Sequence, residues 1–165
     1  MEGAMSTTAE LETTSLARRL LNEGYGSGAW HGPDLKAALA DVSAAAAFRR
    51  PGPGRHNIAE IAIHHAFCAR NVHTQLTGRP ASPFVLEGED WFELSNEKTL
   101  SWAAIRDLID AQQQQLASIV TDIDNGRVDS PLSEPERIAI VLGITCHAVY
   151  HAGQIQLIKR LLTEA

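Results

Sequence analysis

The run from Ser133 to Thr163 constrains the chain more than any other stretch. Ser133 and Glu136 have the spacing of a capping box, and the residues from about Glu134 to Thr163 read as one long helix. That helix carries Cys146-His147-Ala148-Val149-Tyr150-His151-Ala152-Gly153-Gln154. Positions four apart on a helix differ by about 40° of arc and about 6 Å of rise, so His147 and His151 lie one above the other on the same face. Two convergent imidazoles are half of a metal site. Ala148 stands where a His-Glu-x-x-His protease helix has its glutamate, so no general base is built in and the zincin pattern does not fit. Ile140, Gly143 and Ile144 before the pair, and Gln154, Ile155 and Ile158 after it, share its face. The imidazoles therefore point along an apolar stripe rather than into water. A buried neutral imidazole needs partners, and a metal supplies one.

Length and composition bound what this helix belongs to. A chain of 165 residues with 44% hydrophobic residues is one domain, 1–165, with enough apolar material for a single core, and its alanine content suits a helical bundle. The net charge of −6 is spread along the sequence with no Lys/Arg stripe, so no direct nucleic-acid binding is expected. The polar first twenty residues, the absence of an apolar run near twenty and only two cysteines predict a soluble cytoplasmic protein with free thiols and no membrane role.

Residues 1–7 are small and polar and read as a frayed end. Leu11, Leu16, Leu20 and Leu21 then give a helical stripe ending at Asn22-Glu23-Gly24, with Gly24 as its C-cap. The glycines and Pro33 of segment 25–33 make a loop that carries Trp30 and His31, candidates for a lid or packing wedge. Pro33 suits the first turn of a short helix to about Ala40, Ser43 caps a further turn through Phe48, and Arg49 to Gly54 is a firm break. A second long helix opens at Asn57, with Glu60 as its capping-box partner, and runs to about Leu76 before Gly78 and Pro80. It holds His64-His65, which cannot both face one point because successive residues are about 100° apart. Periodicity leaves the choice between them open. Residues 81–97, with Trp91-Phe92, are irregular and read as a long connection crossing the bundle. A third long helix from about Thr99 to Asp124 follows from Trp102, Ile105, Leu108, Ile109, Leu116, Ile119 and Ile123, closed by Asn125-Gly126. The fold class is all-α, a four-helix bundle with one long crossing connection, and such bundles place metal sites between facing helices.

Asn57-Ile58-Ala59-Glu60-Ile61-Ala62-Ile63-His64 and His147-Ala148-Val149-Tyr150-His151-Ala152-Gly153-Gln154-Ile155 together resemble the first-ligand and paired-ligand helices of the DinB/YfiT-like metalloenzyme family. The resemblance spans the whole chain, and Trp30-His31-Gly32-Pro33 is similar to a subgroup. It implies a divalent metal held by three histidines and selects His64 over His65 as the partner of His147 and His151. The family includes thiol-dependent S-transferases, a mycothiol-using maleylpyruvate isomerase and members with no assigned reaction. The unrelated DNA polymerase that shares the DinB name is a different protein.

Three neutral histidines leave a divalent ion its full charge and at least one open position, the pattern of a catalytic site. Water there would have its pKa lowered toward neutrality and a thiol would bind as thiolate. Zinc or nickel is the expected metal, with manganese and iron as alternatives, because imidazole suits all four. A transferase or hydrolase acting on a small-molecule substrate, with a low-molecular-weight thiol as a further cofactor, is the function this implies. A metal-stabilised binding bundle without turnover is the alternative. Glu60, one turn before His64, is a candidate to orient its ring, against a pure capping role. Tyr150 and Gln154 flank the ligand pair as candidates to donate to substrate. Cys68, one turn after His64, and Cys146 read chiefly as core filling, and His56 and His73 as exposed helix-end residues. A homodimer is expected from the bundle type and the resemblance.

Overall fold

The computed structural model describes residues 15–26 and 28–163, and these form six helices with no strand among them. Four are the bundle: α1 (Leu16–Gly24), α4 (Ile58–Thr77), α5 (Trp102–Asp124) and α6 (Glu134–Thr163). Two short helices, α2 (Leu35–Leu39) and α3 (Ala44–Ala47), join α1 to α4, and a long irregular segment joins α4 to α5. Residues 1–14, including Leu11, lie outside the described residues.

Local chemistry sets most boundaries. Ser15, Asp34, Ser43, Asn57 and Ser101 each cap a helix by accepting a backbone N–H with the side chain. Pro33 therefore precedes the cap of α2 instead of sitting in its first turn. At the start of α6, Glu136 accepts from both the backbone N–H and the hydroxyl of Ser133, 2.7 and 2.6 Å away. Gly78 ends α4 in the left-handed conformation, φ 65°.

Gly24 does not serve as a left-handed cap, since the cap residue of α1 is the extended Tyr25. The glycine is needed by packing: a Cβ on it would stand 3.0 Å from Ala148 Cβ and 3.2 Å from the Thr145 backbone. That close approach seats α1 on the middle of α6, where the Thr145 hydroxyl also donates to Leu20 O at 3.1 Å.

The core is two apolar clusters. One gathers Ile58 to Ala66 of α4, Ile105 and Ile109 of α5, and Ala148, Ala152 and Ile155 of α6, together with α2, α3 and Phe92. The other gathers Ala69 and Leu76 of α4, Leu116 and Val120 of α5, Val141 and Ile144 of α6, and α1. Between them, on the three long helices, lie Gln113, His147 and His151 with His64 and His65, a polar layer through the middle of the bundle. Helix α6 contains a window of mean hydropathy 1.4, long and apolar enough by length and composition to cross a membrane, which a search for uncharged runs of about twenty residues overlooks. In the bundle it packs against α1, α2 and α4, with 39% of that window buried.

The segment between α4 and α5 is held down at Leu94. Asn57 Nδ2 donates to Leu94 O at 2.6 Å, and Leu94 N donates to Glu60 Oε1 at 2.9 Å. The Glu60 carboxylate, 1% exposed, also pairs with the Arg50 guanidinium and accepts from Asn57 N. A buried carboxylate is tolerable only with such compensation, and removing it orphans several donors at once. Glu60→Ala should cost roughly 3–5 kcal/mol of unfolding free energy, the range for breaking a buried charge pair. Urea denaturation checks this, and a loss comparable to an exposed ion pair would show that Glu60 holds nothing.

Candidate metal centre

Helix α4 delivers His64 and His65, and α6 delivers His147 and His151; His64, His65 and His151 are buried and His147 half-buried. His147 is the hub. Its Nε2 lies 3.0 Å from His64 Nε2 and 3.1 Å from His151 Nε2, and its Nδ1 lies 2.9 Å from His65 Nδ1. Successive histidines on α4 thus meet one imidazole from opposite ends, although they do not face one point. Cys68, one turn beyond His64, brings its Sγ to 3.8 Å from His64 Nε2. One ligand atom each from His64, Cys68 and His147 fall within 4.8 Å of one another, a set that could hold a metal ion.

The outer nitrogens decide where the inner lone pairs are. His64 Nδ1 is 2.7 Å from the carbonyl oxygen of Asp90. A carbonyl only accepts, so Nδ1 carries the proton and Nε2 keeps its lone pair toward His147. His151 Nδ1 likewise donates to Gln154 Oε1 at 2.6 Å, and Gln154 Nε2 donates to the Tyr150 hydroxyl at 3.0 Å. Two Nε2 lone pairs therefore aim at a third Nε2. A proton on His147 Nε2 can serve only one of them, whereas a cation serves all three. Nitrogens bound to one ion at about 2.0–2.1 Å stand about 2.9–3.4 Å apart for angles of about 90–109°. The His64–His147 and His147–His151 spacings both fall in that range, so each of these pairs fits ligation of one divalent ion, as the set of His64, Cys68 and His147 does by its chemistry.

Burial and the neighbouring imidazoles favour the neutral form of His65, His147 and His151. Desolvation, then His151 and His64, push the His147 pKa from 6.5 to about 4. Desolvation leads for His151 too, lowering its pKa despite the Gln154 bond, and His65 is held well below the usual range by burial and by its histidine neighbours. Burial, with Asp90 second, raises the Cys68 thiol to about 11, so it stays protonated until a metal displaces the proton.

The crossing segment forms the lid of the site. Asp90 is the one described non-glycine residue at positive φ, 66°, a conformation that aspartate tolerates better than most. It turns its carbonyl onto His64 and lets Trp91 stack on the His64 ring at 3.9 Å and the His56 ring at 3.8 Å between centroids. Beside them an open cavity of about 830 Å³ is walled by Trp91, Ile61, Tyr150, His151, Leu157 and Leu161. A more polar groove of about 510 Å³ lies between α1 and α5 and meets the histidine layer only at Gln113, so it is not where the imidazoles open.

The other sequence candidates fall as follows. Glu60 does not hydrogen-bond His64, because its oxygens are taken by Arg50, His56, Asn57 and Leu94. Trp30 is 93% exposed and His31 donates to Glu23 O at 2.8 Å; both sit by the end of α1 and neither lines the cavity. Cys146 is exposed instead of core, since Val141, Ile144, Thr145, Ala148 and His151 take the inward face of α6. His73 is half-buried. Sequence reasoning missed Asp90, Trp91, His56 and Gln113. For Gln113 a signal existed, because it falls four after Ile109 and three before Leu116, on the buried stripe of α5.

A model of the DinB superfamily matches residues 29–155, which contain every residue of the cluster. No curated protein and no solved structure matches the chain. His64→Ala and His147→Ala should each lower metal stoichiometry sharply in protein purified without an affinity tag, read by elemental analysis. Unchanged metal content in His147→Ala would remove the site.

Proposed function

The chain belongs to the DinB superfamily, and from that premise and the histidine cluster we propose that it is a divalent-metal-dependent transferase or hydrolase. One observation carries the reading: the Nε2 atoms of His64 and His151 both lie within 3.1 Å of His147 Nε2, and His151 walls an open cavity large enough for a small molecule. His151 is the third ligand in this reading, because its lone pair is already formed whereas Cys68 must first lose a proton. Bound there, zinc or nickel, or manganese or iron, supplies Lewis acidity and lowers the pKa of a coordinated water or low-molecular-weight thiol.

The chain's own residues do the rest. Trp91, Ile61, Leu157 and Leu161 offer an apolar wall that displaces water from a substrate body. Tyr150 and Gln154 present a hydroxyl and an amide at the same wall, positioned by their bond to each other and by the Gln154 bond to His151. The Arg55 side chain at the rim offers a cation to an anionic substituent. The expected substrate is a small, largely apolar electrophile. Turnover of an activated ester, or of a thiol with an electrophile, should stop on chelation, return with zinc or nickel, and be absent in His151→Ala. Leu157→Arg should lower kcat/KM with metal content unchanged.

Cys68 favours a second reading. If its thiolate joins the three histidines the coordination sphere is closed, and the bundle is a metal-stabilised binding module. In cobalt-loaded protein a sulfur charge-transfer band lost in Cys68→Ser, together with no turnover of any probe, would establish that reading against the enzyme. We further propose a homodimer, supported by the exposed Leu16 of α1 and Leu142 of α6, which lie outside the cavity. A light-scattering mass near 17.9 kDa would contradict it.

A further inference from the structure

The three inward imidazoles are not equally prepared. His64 and His151 are set with Nε2 unprotonated by partners that accept at Nδ1, Asp90 O and Gln154 Oε1. His147 has no such partner. Its Nδ1 faces His65 Nδ1, and His65 Nε2 in turn faces the side-chain amide of Gln113. His65 is fully buried, and a neutral imidazole there holds one proton and can either donate to His147 or accept from it.

The chain Gln113–His65–His147 therefore has two polarities. With the amide nitrogen of Gln113 toward His65, as the structure has it, Gln113 donates to His65 Nε2, His65 Nδ1 donates to His147 Nδ1, and the His147 proton sits on Nε2. That proton occupies the point where the lone pairs of His64 and His151 aim. A half-turn of the Gln113 amide presents Oε1 instead. His65 Nε2 then donates to Gln113, His147 Nδ1 donates to His65, and His147 Nε2 becomes a lone pair. No other polar partner reaches His65 among the described residues, so the amide sets the direction at this end of the chain, while the His64 and His151 lone pairs draw the His147 proton toward Nε2 at the other.

We infer that Gln113 and His65 are positioning residues that set whether His147 can ligate a metal, with the orientation of the Gln113 amide as the switch. This rests on the reading of His147 as a ligand. A carboxylate in place of the amide accepts and never donates, so Gln113→Glu locks the metal-competent direction. Gln113 is placed for this change, since it borders the polar groove between α1 and α5 and a carboxylate there is not sealed from water.

The test compares wild type with Gln113→Glu, Gln113→Met and His65→Asp, all checked for native circular dichroism and cooperative melting. His65→Asp puts an acceptor-only oxygen where His65 Nδ1 was, and so keeps the test open if Gln113→Glu does not fold. Zinc affinity is measured by competition with a chromophoric chelator, and the His147 tautomer by imidazole 15N shifts in metal-free protein. Gln113→Glu and His65→Asp should bind zinc about tenfold or more tighter than wild type, and Gln113→Met about tenfold or more weaker, the size of effect such outer partners have on metal affinity. In both acidic variants the metal-free His147 should carry its proton on Nδ1. A merely structural role predicts lower melting temperatures without this opposite ordering of affinities. Unchanged or weaker zinc binding in folded Gln113→Glu and His65→Asp, with His147 still protonated on Nε2, would overturn the inference. If wild type and His147→Ala both fail to bind zinc, the metal reading fails, while the 15N shifts still decide whether the amide sets the tautomer.

Discussion

One buried carboxylate holds the parts of the site in register. Glu60 pairs with Arg50 of the loop before α4, accepts from the backbone of Asn57 at the head of α4, and accepts from Leu94 of the crossing segment. The loop before α4 and the crossing segment, 34 residues beyond Glu60 at Leu94, are thereby tied to one turn of helix. The crossing segment has no regular structure of its own between Gly78 and Ser101. It can keep Asp90 and Trp91 over His64 because Leu94 is fixed by both its N–H and its carbonyl. Glu60 thus serves the imidazole it does not touch, through the chain segment that does.

A layer of four histidines and a glutamine inside a bundle of this size is costly unless every polar atom is matched. Among the described residues no buried side-chain nitrogen or oxygen lacks a partner. The matching is uneven, however. The outer partners of His64 and His151 are acceptors, which orient the rings for ligation. The inner contacts are nitrogen against nitrogen, and each such contact holds only with one proton between the two rings. Buried alanines flank the histidines on both helices, Ala66 and Ala69 on α4 and Ala148 and Ala152 on α6, and Ala148 is where α1 packs closely through Gly24.

Much of this was legible in the sequence for physical reasons. Capping residues act over three or four positions, so the ends of α4 and α6 followed from Asn57, Glu60 and Ser133 with Glu136. The apolar period placed three long helices and put His147 with His151 on one face. What was not legible depends on contacts distant in sequence. No local pattern says that Gly24 is small because Ala148 passes 3.0 Å from where its Cβ would be. The left-handed turn at Asp90 lies four residues before the anchored Leu94, in a stretch whose sequence has no period to read. Trp30 and His31 drew notice as large side chains in a glycine-rich loop, but they are bound to Glu23 at the end of α1 and face solvent.

The choice between His64 and His65 shows why period alone could not resolve it. Both are buried, because α4 lies with its neighbours on two sides, α6 toward His64 and α5 toward Gln113. A helix buried on two sides has no single apolar stripe, so neither histidine stands out from the pattern. Their roles separate by reach. His64 presents Nε2 to His147 Nε2 beneath Trp91, which with His151 walls the cavity. His65 presents Nδ1 to the back of His147 and leaves nothing free for a ligand. Adjacent identical residues are thereby divided between the face of a candidate metal centre and its support, and the division follows from which end of the His147 ring each one meets.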